Sequence, residues 1–129
     1  MSSTKVIKTS NAPDPVGPYN QAIKIDKMLF VSGQIPMTKS MELIKNNLRE
    51  ETKQVMENLN AILKEANMNF DNVVKTSIFI DDMENFQIIN EVYGRYFKKG
   101  NEPARETVAV KTLPKNVRVE ISMIACKGD

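Results

Sequence analysis

The sequence contains no histidine and one cysteine, and these two scarcities exclude more chemistry than anything present. Without His there is no Ser-His-Asp triad, no Cys-His pair and no His-ligated metal site. Without a second Cys there is no intrachain disulfide and no multi-cysteine zinc site, which fits a reducing compartment. Cys126, close to the C-terminal end, reads as packing or a frayed end and not as a nucleophile. Catalysis would therefore have to draw on Arg, Lys, Glu, Asp, Tyr, Ser or Thr.

Long apolar runs are missing too. The longest notable uncharged stretch, MLFVSGQIPMT between Lys27 and Lys39, spans 11 residues, well short of the ~20 that cross a bilayer. The first 13 residues, MSSTKVIKTSNAP, carry two Lys and no acid but no apolar core of a secretory signal. The expected compartment is cytoplasmic, with a mitochondrial destination left open. Charge of one sign is also scarce: 18 basic against 16 acidic residues leave +2, with Lys and Glu interspersed. A dedicated nucleic-acid binder would show a stronger electrostatic footprint, so nucleic acid is disfavoured except through a local patch.

What is there is an ordinary globular composition, 41% hydrophobic and 26% charged over 129 residues. A chain this long buries roughly two-thirds of its unfolded surface, enough for one core, so residues 1–129 are expected to form a single domain. A short strand is expected at Lys5 to Lys8, followed by a loop stiffened by Pro13, Pro15 and Pro18. Two apolar runs, Gln21 to Ile25 and Met28 to Ser32, read as a hairpin turning at Asp26-Lys27. From Asn47 to about Asn67 the apolar residues Val55, Leu59, Ile62, Leu63 and Ala66 recur at helical spacing, with Asn47 and Glu50 as a capping box.

Asn72 to Ile80 alternates as a strand with Val74, Thr76, Ile78 and Ile80 on one face. A second helix is expected from Met83 to Lys98, with Phe86, Ile89, Asn90, Tyr93 and Phe97 on one stripe. Strands at Thr107 to Lys111 and Val117 to Cys126 close the chain. The order is βββαβαββ, an α/β (α+β) sandwich of one mixed six-stranded sheet with two helices on one face. Arg118, Glu120, Ser122 and Ile124 share one side of the last strand. Apolar groups occur on both faces of several strands, so another subunit is expected to cover the open face.

Few residues could carry chemistry. Arg105, at the entrance to a strand, could grip a carboxylate bidentately, or be a solvated Arg beside Glu106. Glu120, in the middle of the most apolar strand, is either paired with Arg118 on a solvated face or held in a site as a general base. Tyr19 could present its phenol to a ligand or plug the core. Gly33, after Ser32, allows close backbone approach or marks a bulge. Asn90 must find partners or line a pocket, and Thr107 is a ligand contact or only a strand former.

The strings GPYNQA (17 to 22), LFVSGQIP (29 to 36), TKQVMENLNAIL (52 to 63), NEVYGRYF (90 to 97), PARETVAV (103 to 110) and LPKNVRVEISMIA (113 to 125) together resemble the RidA family of reactive-intermediate deaminases. That resemblance implies a chorismate-mutase-like fold, a homotrimer with ligand clefts between subunits, and hydrolysis of 2-imino acids and their enamine tautomers to 2-keto acids and ammonia. It implies no metal or organic cofactor. By the same resemblance, Arg105 would hold the substrate carboxylate and Glu120 would activate water, with Tyr19, Ser32, Gly33 and Asn90 in the cleft and Thr107 where many relatives carry Cys. Glu106 departs from the small Ser or Thr usual there, and strand alternation should point it away from Arg105. The resemblance leaves two other classes in view: an endoribonuclease or translation inhibitor, and a non-catalytic small-ligand-binding or chaperone-like protein.

Overall fold

A computed structural model describes residues 4–128; Met1 to Ser3 of the N-terminal stretch lie outside the described residues. The strands are β1 (Lys5–Ile7), β2 (Ala22–Ile25), β3 (Met28–Gln34), β4 (Val73–Ile80), β5 (Ala104–Ala109) and β6 (Val119–Cys126), with helices α1 (Leu48–Glu65) and α2 (Phe86–Gly94). They form one sheet in the order β1-β2-β3-β6-β4-β5. Among the described strands only β4 and β5 pair in parallel. A parallel neighbour requires a crossover, and α2 supplies it between β4 and β5. The mixed sheet with two helices is therefore the expected fold class.

Helix α1 follows from its sequence. Val55, Met56, Leu59, Ile62 and Leu63 are fully buried, and each such side chain stabilises by about 2 kcal/mol. They pack on the sheet together with Ile89 and Tyr93 of α2, so both helices cover one face. Asn47 caps α1 by accepting from the Glu50 amide, but the reciprocal bond to the Asn47 amide comes from Glu51, one residue beyond the expected Glu50. At the hairpin, Asp26 takes φ 51, a left-handed conformation that Asp tolerates better than most residues.

Four boundaries differ from the sequence reading. A bulge between Val73 and Lys75 turns Val73 inward and leaves Val74 exposed, so the buried set is Val73, Thr76, Ile78 and Ile80. Helix α2 is shorter than expected: a separate 3-10 turn, Met83–Asn85, precedes it and it ends at Gly94. β5 begins at Ala104, three residues early, because its ladder to β4 runs through Arg105 and Glu106. β6 begins at Val119, and Arg118 reaches Glu51 in the first turns of α1, so it does not share the side of Glu120.

The face away from the helices is uncovered. Register places Val6, Ile23, Phe30 and Ile124 in one row across β1, β2, β3 and β6, with Val6 51% and Phe30 45% exposed. Val108 of β5 is exposed as well. Among the described residues no helix is long and apolar enough to cross a membrane.

Candidate functional site

The candidate residues divide between the two faces of the sheet. In the β4–β5 ladder Arg105 stands opposite Thr76 and Thr107 opposite Ile78. Thr76 and Ile78 point into the helix-covered core, and directly paired residues share a face, so Arg105 and Thr107 take the helix side. The Arg105 Cζ lies 5.7 Å from the Phe86 ring centroid and 5.2 Å from that of Tyr93. Asn90 falls between these two residues on the same stripe of α2, and its amide has no hydrogen bond among the described residues. The Thr107 hydroxyl is buried without a partner among the described residues. An orphaned buried hydroxyl is uncommon and marks a place where something else can bond.

Arg105 is not the solvated ion-paired residue that its sequence neighbour suggested. Glu106 points to the other face, where it accepts from the Ser77 hydroxyl and pairs with Lys75 Nζ at 3.0 Å. The Ser77 hydrogen bond and then the Lys75 contacts hold its carboxyl below the ordinary range. No carboxylate pairs with Arg105 among the described residues.

On the open face, Glu120 stands opposite Phe79. It is not paired with Arg118, whose guanidinium forks onto the buried Glu51, with Nε 3.0 Å from Oε1. The Glu120 carboxyl is half-buried without a hydrogen-bonding or ionic partner among the described residues, and burial raises its pKa. Gly33 explains how it fits. A Cβ at that position would lie 2.6 Å from Glu120 Oε2 and 2.9 Å from Cδ, so only Gly lets the carboxyl rest against the β3 backbone. This is the register shift between Val31 and Gln34, so Gly33 both sits in a bulge and permits close approach.

Glu120, Gly33 and Tyr19 line one cleft, walled by Pro13, Val16, Ile35, Met37 and Pro114. The Tyr19 hydroxyl accepts from the Val16 amide at 3.3 Å, and the residue remains 46% exposed. Ser32 lines an adjoining depression with Tyr19, Phe30 and Ser122, and its hydroxyl donates to the Asn20 carbonyl at 2.6 Å. The walls are fastened by two buried amides that the sequence reading missed. Gln21 accepts from the Thr9 amide at 2.8 Å and donates to the Pro13 carbonyl at 2.9 Å. Asn58 donates to the carbonyls of Ile35 and Met37 at 3.2 and 2.8 Å. Asn58 sits among the apolar residues of α1, and a polar side chain buried there must satisfy backbone groups elsewhere, which was the available signal.

One chain thus brings together Tyr19, Ser32, Gly33 and Glu120 on the open face and Arg105, Asn90 and Thr107 at the β5 edge on the helix side. It does not join the two groups. Among the described residues no three His, Cys, Asp or Glu side chains cluster closely enough to hold a metal ion. The first group can accept a proton in a partly desolvated cleft; the second can hold an anion.

The chain is similar to known proteins along most of its length. A family model described as endoribonuclease L-PSP matches residues 9–127. The human 2-iminobutanoate/2-iminopropanoate deaminase is 43% identical over 125 residues, covering 96% of this chain and 90% of that protein. Among solved structures, RidA from an Antarctic Psychrobacter superposes with a TM-score of 0.91 at 35% identity, covering 95% of this chain and 99% of that one. TdcF of E. coli, solved with bound serine, gives 0.90 at 36% identity, covering 96% and 99%. The chain belongs to the endoribonuclease L-PSP family, the family of RidA.

Proposed function

We propose that this protein is a 2-imino acid deaminase whose site is completed between copies of the chain assembled as a homotrimer. The observation that carries the reading is a pair of opposite charges with no ionic partner among the described residues: the Arg105 guanidinium over two rings and the Glu120 carboxyl in a half-buried cleft. Within one chain they lie on opposite faces of the sheet, so a second copy has to bring them to one substrate. The exposed apolar row on the open face supports such packing. The imine deaminase activity named for the human relative and the serine bound by the E. coli relative fit a ligand with a carboxylate beside a nitrogen-bearing carbon.

The chemistry follows from the groups. Arg105 holds the substrate carboxylate and so orients the adjacent imine carbon. Glu120 accepts a proton from water as the oxygen adds to that carbon, and the electron pair of the C=N bond goes to nitrogen. The resulting carbinolamine takes that proton back from Glu120 on nitrogen, its C–N bond breaks as the hydroxyl gives its proton to Glu120 and the oxygen forms the keto C=O, and the departing ammonia takes up this proton as ammonium. Water and the protonated imine become ammonium and the 2-keto acid, with no external oxidant or reductant. Asn90 and the unpartnered Thr107 hydroxyl are suited to hydrogen-bond the nitrogen or the water.

The test generates 2-imino acids with an amino-acid oxidase and traps what remains with semicarbazide. Loss of trapping with the wild type, restored by Arg105→Ala, is the expected result. A folded wild type that matches the blank for every imine would overturn the reading, and RNA binding with steep salt dependence would then be the account to pursue.

A further inference from the structure

We propose that Tyr93, with Phe86, is a positioning residue that aims the Arg105 guanidinium without neutralising it. The proposal rests on the reading of Arg105 as the carboxylate clamp. An Arg meant to receive an anion has a problem of its own. A resident carboxylate would orient it but would compete with the ligand, whereas a free guanidinium on a flexible stem loses rotamer freedom when it binds. Ring faces resolve this, because a cation over an aromatic ring is attracted and oriented while its donors stay available. Here the Arg105 Cζ lies 5.2 Å from the Tyr93 centroid and 5.7 Å from that of Phe86, and no carboxylate pairs with it among the described residues.

Tyr93 is itself fixed. Its hydroxyl shares a 2.7 Å hydrogen bond with the Thr76 hydroxyl, and both residues are buried. Its ring also packs on Phe97 with centroids 4.9 Å apart. Thr76 is the β4 residue directly opposite Arg105 in the ladder. The strand pairing, the hydroxyl pair and the ring contact therefore form a closed loop that ties the guanidinium to the backbone from which it extends. Phe86, at the start of α2, supplies the second ring near the guanidinium. Burial raises the Tyr93 pKa, so its phenol stays neutral beside the cation and acts through its ring face.

The experiment compares Tyr93→Leu, Tyr93→Phe and Phe86→Leu by imine hydrolysis and by calorimetric titration with 2-ketobutanoate, a product-like carboxylate. Losing one desolvated ring face should raise KM and the Kd for 2-ketobutanoate about tenfold in Tyr93→Leu, with kcat changing less than threefold. Tyr93→Phe keeps the ring and should lose no more than about threefold in affinity, which a merely structural role of the hydroxyl pair would not produce. Phe86 is only half-buried, so Phe86→Leu tests the same shelf if Tyr93→Leu does not fold, with an expected loss of about fivefold. Unchanged KM and Kd in folded Tyr93→Leu or Phe86→Leu overturn the shelf while leaving the deaminase reading intact. A wild type that binds 2-ketobutanoate through Arg105 and weakens in these variants, yet hydrolyses no imine, upholds the shelf and overturns the deaminase reading. A wild type with no Arg105-dependent binding overturns both.

Discussion

The two faces of the sheet handle an unpaired charge in opposite ways. On the helix side, the Arg105 guanidinium lies over two aromatic rings at the edge strand. On the open side, Glu120 lies against Gly33 in a partly apolar cleft, where burial disfavours its charge and raises its pKa. The guanidinium keeps its hydrogen-bond donors free, whereas the carboxyl is disfavoured as an anion by burial, the contrast that the proposed anion clamp and proton acceptor call for. Keeping them on opposite faces has a further consequence. They cannot form an ion pair with each other inside one chain, which would satisfy both charges and leave nothing for a ligand.

The largest effect expected from breaking this pair is on turnover: Arg105→Ala and Glu120→Gln should each lower kcat/KM on 2-imino acids by on the order of 10²–10⁴-fold in the trapping assay. Their binding behaviour should separate them. Arg105→Ala loses affinity for 2-ketobutanoate, whereas Glu120→Gln retains it.

Gly33→Ala sharpens the same contrast from one side. Its Cβ would stand 2.6 Å from Glu120 Oε2, so the carboxyl must swing away while Arg105 is untouched. We expect a loss of about 10–100-fold in kcat, with unchanged 2-ketobutanoate binding. Normal turnover in Gly33→Ala would mean that the carboxyl does not act from this position.

How far all this was legible in the sequence depends on the element. Helix α1 was, because its apolar stripe recurs over 18 residues and Asn47 caps it. β5 was placed late, since Arg105 and Glu106 look like loop and the strand is a partly exposed edge whose pairing to β4 is tertiary. Alternation within β5 correctly put Glu106 opposite Arg105. It could not relate β5 to β6, because which face meets the helices is set by register across strands: Thr76 against Arg105, Phe79 against Glu120. Arg118 illustrates the same limit. Two residues from Glu120 in sequence, it joins Glu51 of α1 instead.

pH should separate activity from stability. Glu120 must be ionised to accept a proton, so kcat/KM should fall as pH drops through a Glu120 pKa lying above the usual carboxylate range. Stability runs the other way. A carboxyl whose pKa is raised by folding contributes stability that is present below its unfolded value and lost as pH rises through the folded one. Glu120→Gln should therefore raise Tm at neutral pH and leave it nearly unchanged at acid pH. Thermal scans at the two pH values check this.

The smallest effect belongs to Glu106. Because it bonds Ser77 and Lys75 away from Arg105, Glu106→Ser should change KM by less than about twofold, within the range of an exposed ion pair. A large gain in efficiency would show that its charge reaches the clamp.

The claim that the two charged groups meet only between copies of the chain can be tested by mixing. Arg105→Ala and Glu120→Gln chains, each inactive alone, are co-expressed and the mixed assemblies purified. Each site in a random mixture then has one chance in four of drawing an intact Arg105 from one copy and an intact Glu120 from another, so the account predicts recovery of about a quarter of wild-type imine hydrolysis. Mixed assemblies as inactive as either variant alone would contradict it, because both groups would then have to come from the same chain.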